Sequence, residues 1–350
     1  MTKRGILITN LGSPEAPTTE AVRIYLNEFL MDKYVIDIPY LLRALLIKGI
    51  VLRTRPQKSA EAYKLIWTKE GSPLITATKN LTHKVQAILG SEYSVKFGMR
   101  YGNPSLKSVL DEFKKEGISK VQLLPLYPQW ALASTASTLA HIKKIKLEDS
   151  IQSVLKAFYY REDFIDLWVS RYKKLLIEKN IQDKKLKTKI VFSFHGIPER
   201  HIKKSPESQG CQMSALCCRS RNSPYCYRSH SQKTADAIAK KLGLSEDDYI
   251  VTFQSRLGPD QWLRPFTDVV LKELPTQGVE RCILFSPAFT ADCLETLEEL
   301  DERGKEDFIH AGGKEFFLVP SLNDADDWAQ VLAQWVNENN LFEPFYAPSI

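Results

Sequence analysis

Short apolar-rich runs alternate along the chain with longer stretches whose apolar residues recur at helical spacing. Gly5–Thr9, Val121–Leu126, Lys189–Phe194, Tyr249–Phe253 and Cys282–Ser286 are β-rich runs that each end at a Gly, a Pro or a small polar turn. Between them, Glu20–Met31 and Ser231–Leu242 show helical patterns. Strand–helix alternation predicts an α/β fold with parallel sheets covered by helices, and ligands at the carboxyl ends of the strands. A faint repeat supports two halves of similar build. Asn10-Leu11-Gly12-Ser13-Pro14-Glu15 follows the first strand, and Phe194-His195-Gly196-Ile197-Pro198-Glu199 follows a strand 184 residues later. The run Cys282–Thr290 in the second half echoes Val121–Gln129 in the first. We expect an N-terminal α/β domain over 1–165, a C-terminal one over 166–330 and a helix with a tail over 331–350. The boundary falls between Val154 and Lys187, with the charge-rich Glu178–Thr188 as a solvated connection.

Composition narrows the class. The 350 residues suit two domains at about 150 residues each. With 43% hydrophobic and 26% charged residues, disorder, a collagen-like repeat and a coiled coil are excluded. Every long apolar stretch carries charges, so no membrane-spanning helix is expected. The apolar run after Met1–Arg4 is too short for a signal peptide, which predicts a cytoplasmic protein. A net charge of +6 favours an anionic small molecule or surface and is too weak a signal for nucleic acid.

Four features could carry chemistry. His195 sits at the carboxyl end of a predicted buried strand, where an imidazole can act as base or metal ligand or simply close a turn. In Asp292–Arg303, a helix of about 100° per residue puts Asp292, Glu295, Glu299 and Glu302 within an arc of about 80°, with Leu294, Leu297 and Leu300 opposite. That face is either solvated or a carboxylate ladder for a divalent cation or protons. The stretch Tyr34–Leu52, broken by Arg43 and Lys48, is either a buried core helix or an exposed flap for a flat apolar ligand and a membrane surface. Of the six cysteines, Cys211, Cys217, Cys218 and Cys226 fall within 16 residues. In a reducing cytosol such a cluster reads as metal ligation before disulfides.

Long segments of the chain resemble bacterial ferrochelatases, in the same order and over nearly its whole length. The resemblance lies in GILITNLGSPEAPTTEAVRIYLNEFL, GMRYGNPSL, LLPLYPQW, SFHGIPERH, FQSRLGPDQWLRPFTD and FTADCLETLEELDERG. It implies two similar Rossmann-like domains with an active-site cleft between them, and insertion of Fe2+ into protoporphyrin IX to give protohaem, the terminal step of haem synthesis. It further implies His195 and Glu295 as catalytic and metal-contacting residues, with Asp292 and Glu299 on the metal path. Leu11, Arg55, Tyr63, Arg100, Tyr101 and Trp262 map onto porphyrin-contacting positions. The arginines suit the propionates, because a planar guanidinium matches a carboxylate.

Two departures stand out. Many members of the family carry a histidine two residues before the metal-path glutamate, where this chain has Cys293. The segment 205–226 is longer than in the simplest members and carries the pattern C-x5-C-C-x7-C. Some members hold a [2Fe–2S] cluster, so Cys211, Cys217, Cys218 and Cys226 are expected as its ligands; zinc or free thiols are the alternatives. Lys203, Lys204, Arg219, Arg221 and Arg228 would favour thiolates. Cys282 and Cys293 are not expected as ligands. Rival functions are a chelatase for another tetrapyrrole, such as coproporphyrin, and a non-catalytic tetrapyrrole or iron carrier. The apolar flap favours protoporphyrin and allows peripheral membrane contact.

Overall fold

The computed structural model describes residues 3–181, 186–206 and 211–346. It divides into two compact units. One contains residues 1–127, 131–156 and 323–350, the other 128–130 and 157–322. Apart from the three residues 128–130, the chain passes from the first unit into the second at 156/157, and its C-terminal segment returns to the first. The expected connection Glu178–Thr188 lies partly outside the described residues, as do residues 207–210 of the cysteine-rich insertion and 347–350 of the tail.

The first unit is built on the sheet β2-β1-β3-β4-β9. Its strands are β1 (Arg4–Gly12), β2 (Tyr93–Tyr101), β3 (Val121–Pro125), β4 (Ile151–Leu155) and the two-residue β9 (Phe342–Glu343). All pairings are parallel except that of β9 with β4. The second unit has the sheet β6-β5-β7-β8, parallel throughout. Its strands are β5 (Thr188–His195), β6 (Tyr249–Gln254), β7 (Arg281–Phe285) and β8 (Glu315–Leu318). The four parallel strands of each unit follow one order, second-first-third-fourth. This is the structural content of the sequence repeat, because β1 corresponds to β5 and β3 to β7.

The interiors follow from the apolar runs. Ile6, Leu7 and Ile8 of β1 and Val191, Phe192 and Phe194 of β5 are fully buried, as expected for parallel strands covered on both faces. In the first unit, Leu7 and Leu123 pack with Leu106, Val109, Leu110 and Phe113 of helix Leu106–Lys115. In the second, Val191, Cys282 and Leu284 pack with Leu271, Leu300, Phe308 and Phe316. Burial pushes the Cys282 thiol far up, so it stays protonated as a small apolar core residue.

A glycine terminates the leading strand of each unit for the same reason. Gly12 has φ +111, and a Cβ there would lie 1.8 Å from the Tyr101 carbonyl oxygen. A Cβ on Gly196 would lie 2.7 Å from the Ser255 carbonyl oxygen and 2.8 Å from that of Gln254. Only glycine lets the chain leave the strand so close to its neighbour.

The stretch Tyr34–Leu52 divides between the two readings of it. Tyr40–Leu46 is an α-helix, Ile47–Val51 a π-turn, and Leu52–Ile66 a second α-helix. Leu41 and Leu45 are 79% and 70% exposed, and Tyr40, Leu42 and Ile50 are exposed with them. Ile47, by contrast, is fully buried and belongs to the core. Arg43, which interrupts the run, is also buried and donates to the carbonyls of Ile36 (2.8 Å) and Ile38 (3.1 Å). Among the described residues, no helix is long and apolar enough to cross a membrane.

Candidate active site

His195 is the last residue of β5 and lies opposite Gln254, the last of β6. Its Nδ1 is 2.6 Å from the Gly196 carbonyl oxygen. A carbonyl only accepts, so Nδ1 carries a hydrogen, and in the corresponding neutral tautomer the lone pair is at Nε2. Nε2 makes no hydrogen bond among the described residues. The backbone carbonyl of His195 accepts from Tyr227 Oη at 2.9 Å. Phe289 stands edge-on to the imidazole, with centroids 6.3 Å apart. Trp262 packs beside Gly196, and its indole N–H donates to the Leu257 carbonyl at 3.1 Å.

The acidic segment departs from a uniform α-helix. Leu294–Thr296 is a single α-turn and Leu297–Gly304 a π-helix. Bonds that span five residues instead of four rotate the side chains away from the arc projected at 100° per residue. Glu295 is half-buried, and its backbone carbonyl accepts from Gln254 Nε2 at 2.8 Å. Glu299 accepts from Ser255 Oγ at 2.5 Å. Asp292 accepts from Thr296 Oγ1 at 3.1 Å. Glu302 is exposed, and Glu298 is buried and pairs with Arg303. Asp301, which the α-helical projection puts on the opposite side, is raised by burial and feels both Glu302 and Asp292. Cys293, the departure from the family histidine, is the N-cap of this turn. Its side chain takes the Thr296 N–H, while its own N–H donates to Thr296 Oγ1 at 3.0 Å. Burial and the adjacent Glu295 carboxylate push its thiol well up, so it is a neutral hydrogen-bond donor to Glu295.

Gln254 and Ser255 are the site residues that strand-end position alone leaves unmarked. Gln254 is buried, oriented by Ser193 Oγ, which donates to its Oε1 at 3.0 Å. Ser255 adopts φ +61, a sparsely populated conformation for a non-glycine residue, and its hydroxyl meets Glu299. Their location just after a predicted strand was the available signal.

The expected porphyrin contacts of the first unit differ in exposure. Arg55 is exposed, Leu11 half-buried, and Tyr63 is buried with its ring edge-on to Trp67 at 6.1 Å. Arg100 and Tyr101 form a closed network. The Arg100 guanidinium pairs with Asp32, and its Nε donates to Ser137 Oγ at 2.7 Å. Tyr101 Oη and Ser137 Oγ donate to Asp32 Oδ2 at 2.9 and 2.6 Å. Burial drives the Asp32 carboxyl up, but the Arg100 charge and the bonds from Ser137, Tyr34 N–H and Tyr101 more than offset it and hold it below its ordinary value. Asp32 and Ser137 carry no motif of their own and are found only through this contact.

All six cysteines are free thiols. Cys211, Cys217, Cys218 and Cys226 line one small cavity with Ile202, Ser205 and Arg221. Cys218, on helix Ala215–Ser220, is buried, and its thiol is raised to about 11, mainly by burial; Arg228 opposes that rise, its Nη1 donating to the sulfur at 3.1 Å. Burial raises Cys226 as well, with Cys211 and Cys217 adding to it. Among the described residues no three His, Cys, Asp or Glu side chains converge closely enough to hold a metal ion. The vicinal pair explains part of this, since Cys218 turns into the interior and Cys217 stays half-exposed.

Comparison with known proteins now places the chain. The ferrochelatase family model matches residues 3–340. Ferrochelatases of Azotobacter vinelandii (41% identical over 343 residues, 95% of this chain and 98% of the relative) and Pseudomonas entomophila (42% over 344 residues, 95% and 98%) are similar throughout. That of Legionella pneumophila is 39% identical over 340 residues, 96% of this chain and 99% of its own. Among solved structures, SirB of Bacillus subtilis with Fe3+ shares the fold, with a TM-score of 0.52 at 12% identity over 97% of both chains. The chain belongs to the ferrochelatase family of metal-chelating lyases.

Proposed function

We propose that this chain inserts Fe2+ into protoporphyrin IX with His195 as proton acceptor and Glu295 as the carboxylate that delivers the cation. The observation that carries the reading is the state of His195: one nitrogen fixed by the Gly196 carbonyl, the other left with an open lone pair at a rigid strand end. Metallation replaces two pyrrole N–H bonds by bonds to iron, so two protons must leave as Fe2+ enters. Nε2 can take a proton from the ring face. A carboxylate attracts the dication and carries the proton onward. Glu299 and Asp292 extend that path, and Gln254 and Ser255 hold it against β6. Cys293 cannot relay protons as an imidazole would, because its thiol stays protonated.

For the macrocycle we propose Leu11, Tyr63 and Trp262 as apolar contacts and Arg55 as a propionate partner. Arg100 and Tyr101 act from within their Asp32 network, as rigid support. The exposed Tyr40, Leu41, Leu42, Leu45 and Ile50 favour protoporphyrin over the more acidic coproporphyrin and suit peripheral contact with a membrane surface on the cytoplasmic side. For Cys211, Cys217, Cys218 and Cys226 we propose a [2Fe–2S] cluster. The support is their common cavity and a vicinal pair that two iron centres accommodate better than one tetrahedral ion. When bound, the cluster supplies a structural crosslink, since metallation transfers no electrons.

The test is steady-state haem formation at limiting Fe2+. Glu295→Gln should lower the rate by about a hundredfold or more, within the range for a positioned acid or base, and Glu302→Gln far less. Equal activity of both variants and the parent would overturn the metal path. Anaerobically purified protein should hold about two irons and two sulfides per chain; colourless, iron-free, fully active protein would overturn the cluster.

A further inference from the structure

The first turn of helix Tyr227–Leu242 sends five consecutive side chains to different places. Cys226, the N-cap residue, faces the thiol cavity. Tyr227 Oη donates to the backbone carbonyl of His195 at 2.9 Å. Arg228 Nη1 donates to the Cys218 sulfur at 3.1 Å, and Ser229 Oγ to the Cys218 carbonyl at 2.6 Å. His230 stands with one ring nitrogen 2.9 Å from the Ser223 carbonyl oxygen, accepts the Trp130 N–H at 3.2 Å with the other, and stacks on Tyr159 with centroids 3.8 Å apart. These residues share one hydrogen-bonded turn, so a shift of its backbone moves all five attachment points together. This turn is therefore a single rigid junction between the cysteine cavity and the end of β5.

From this geometry we infer that Tyr227 is a positioning residue for His195, and that through it the state of the cysteine cavity reaches the site of metallation. The Tyr227 side chain is buried, and a carbonyl oxygen only accepts, so its hydroxyl is the donor in this contact. Its hydroxyl closes the carbonyl of the very residue whose ring must meet the porphyrin. The ring is fixed a second time through Gly196, whose N–H donates to the Gln254 carbonyl at 2.6 Å. Displacing Cys226 tilts the start of the helix, and the phenol carries that tilt to the backbone of His195. A crosslink at the cavity thus influences catalysis without entering the reaction. The inference rests on His195 acting as proposed above.

The experiment uses the full chain, purified anaerobically. Tyr227→Phe removes one hydroxyl and keeps the ring. We expect kcat to fall about tenfold, as for a slight misplacement of a catalytic group, with the porphyrin KM within about twofold of the parent. Iron and sulfide content and Tm should stay at the parent values. A role confined to stability would lower Tm and leave the kcat of the folded fraction alone. The second arm is a double-mutant cycle with Cys226→Ser, reading kcat alongside iron content. If Tyr227 carries the coupling, Cys226→Ser costs clearly less in the Tyr227→Phe background than in the parent. An unchanged kcat in Tyr227→Phe, or fully additive losses in the cycle, overturns the inference. His195→Ala separates the two levels: full activity in that variant defeats the reading of His195 itself, whereas inactivity with a normal Tyr227→Phe defeats only the positioning role.

Discussion

In the first unit the leading strand ends in Asn10-Leu11-Gly12 beside Arg100-Tyr101, and in the second it ends in Phe194-His195-Gly196 beside Gln254-Ser255. Strand order and the terminal glycine are common to both. The polar groups are used in opposite ways. At the end of β2 every charge turns inward, with Arg100, Tyr101 and Ser137 all bonded to Asp32. At the end of β6, Gln254 and Ser255 instead donate to the acidic segment, and His195 keeps Nε2 open among the described residues. A closed network gives rigidity, and an open nitrogen is what the proposed proton acceptor requires, so the two strand ends differ in the groups that finish them.

The largest effects should come from opening this contrast at each end. His195→Ala should reduce kcat by about a thousandfold, the middle of the range for a general base, with folding stability changed by less than about 1 kcal/mol. Haem formation and thermal unfolding together check it, and a large stability loss with normal turnover would reverse the assignment of roles. Arg100→Met should do the converse. It leaves the Asp32 carboxylate buried without its cation, at a cost of about 3 kcal/mol. Denaturant unfolding reads that loss; an unchanged midpoint would mean the network is not the closed structural end described here.

Much of this was legible in the sequence, for identifiable reasons. The five apolar runs are the strands β1, β3, β5, β6 and β7; four of them are largely buried, and the edge strand β6 is buried over Thr252–Gln254. The strands that escaped are those without that signature. β2 carries Lys96 and Arg100, β4 has Gln152 and Ser153, and β8 and β9 are only four and two residues long. Helical periodicity failed where the backbone leaves the α-helix. The π-turn at Ile47–Val51 buries Ile47 while Ile50 stays exposed, and on the π-helix at Leu297–Gly304 Glu298 is buried where Glu302 is exposed. Partners such as Asp32, Ser137 and Tyr227 are distant in sequence from what they bond, and no local pattern could announce them.

A finer cut at the closed end is Ser137→Ala. The hydroxyl donates to Asp32 and accepts from Arg100 in a fully buried site, so its loss should cost about 1–2 kcal/mol without changing the porphyrin KM. A change in KM without a change in stability would show that the network reaches substrate directly.

The smallest effect, and the most specific, is in the acid limb of stability. Asp32 is held below 3.8 in the folded state and returns to an ordinary value on unfolding. Its contribution is therefore complete above the unfolded value and lost as pH falls through the lower folded one, because the unfolded chain there binds a proton that the folded chain does not. His141, lowered to about 4 chiefly by burial with Arg100 adding to it, works in a higher window. Its neutral folded form stabilises fully above pH 6.5, and that stability declines as pH falls from 6.5 towards 4. The two windows separate the groups. Unfolding free energies measured from pH 7 to 2.5 should show parent and Asp32→Asn losing stability nearly in parallel down to about pH 4, since Asp32 is the weakest of the influences on His141. Below that the parent should fall more steeply, by about 1 kcal/mol for each unit of depression. His141→Gln should flatten the upper part of the curve and leave the lower part alone. Parallel curves for parent and Asp32→Asn throughout would mean that Asp32 titrates normally in the folded state, and the closed end of β2 would then owe its rigidity to packing and not to charge.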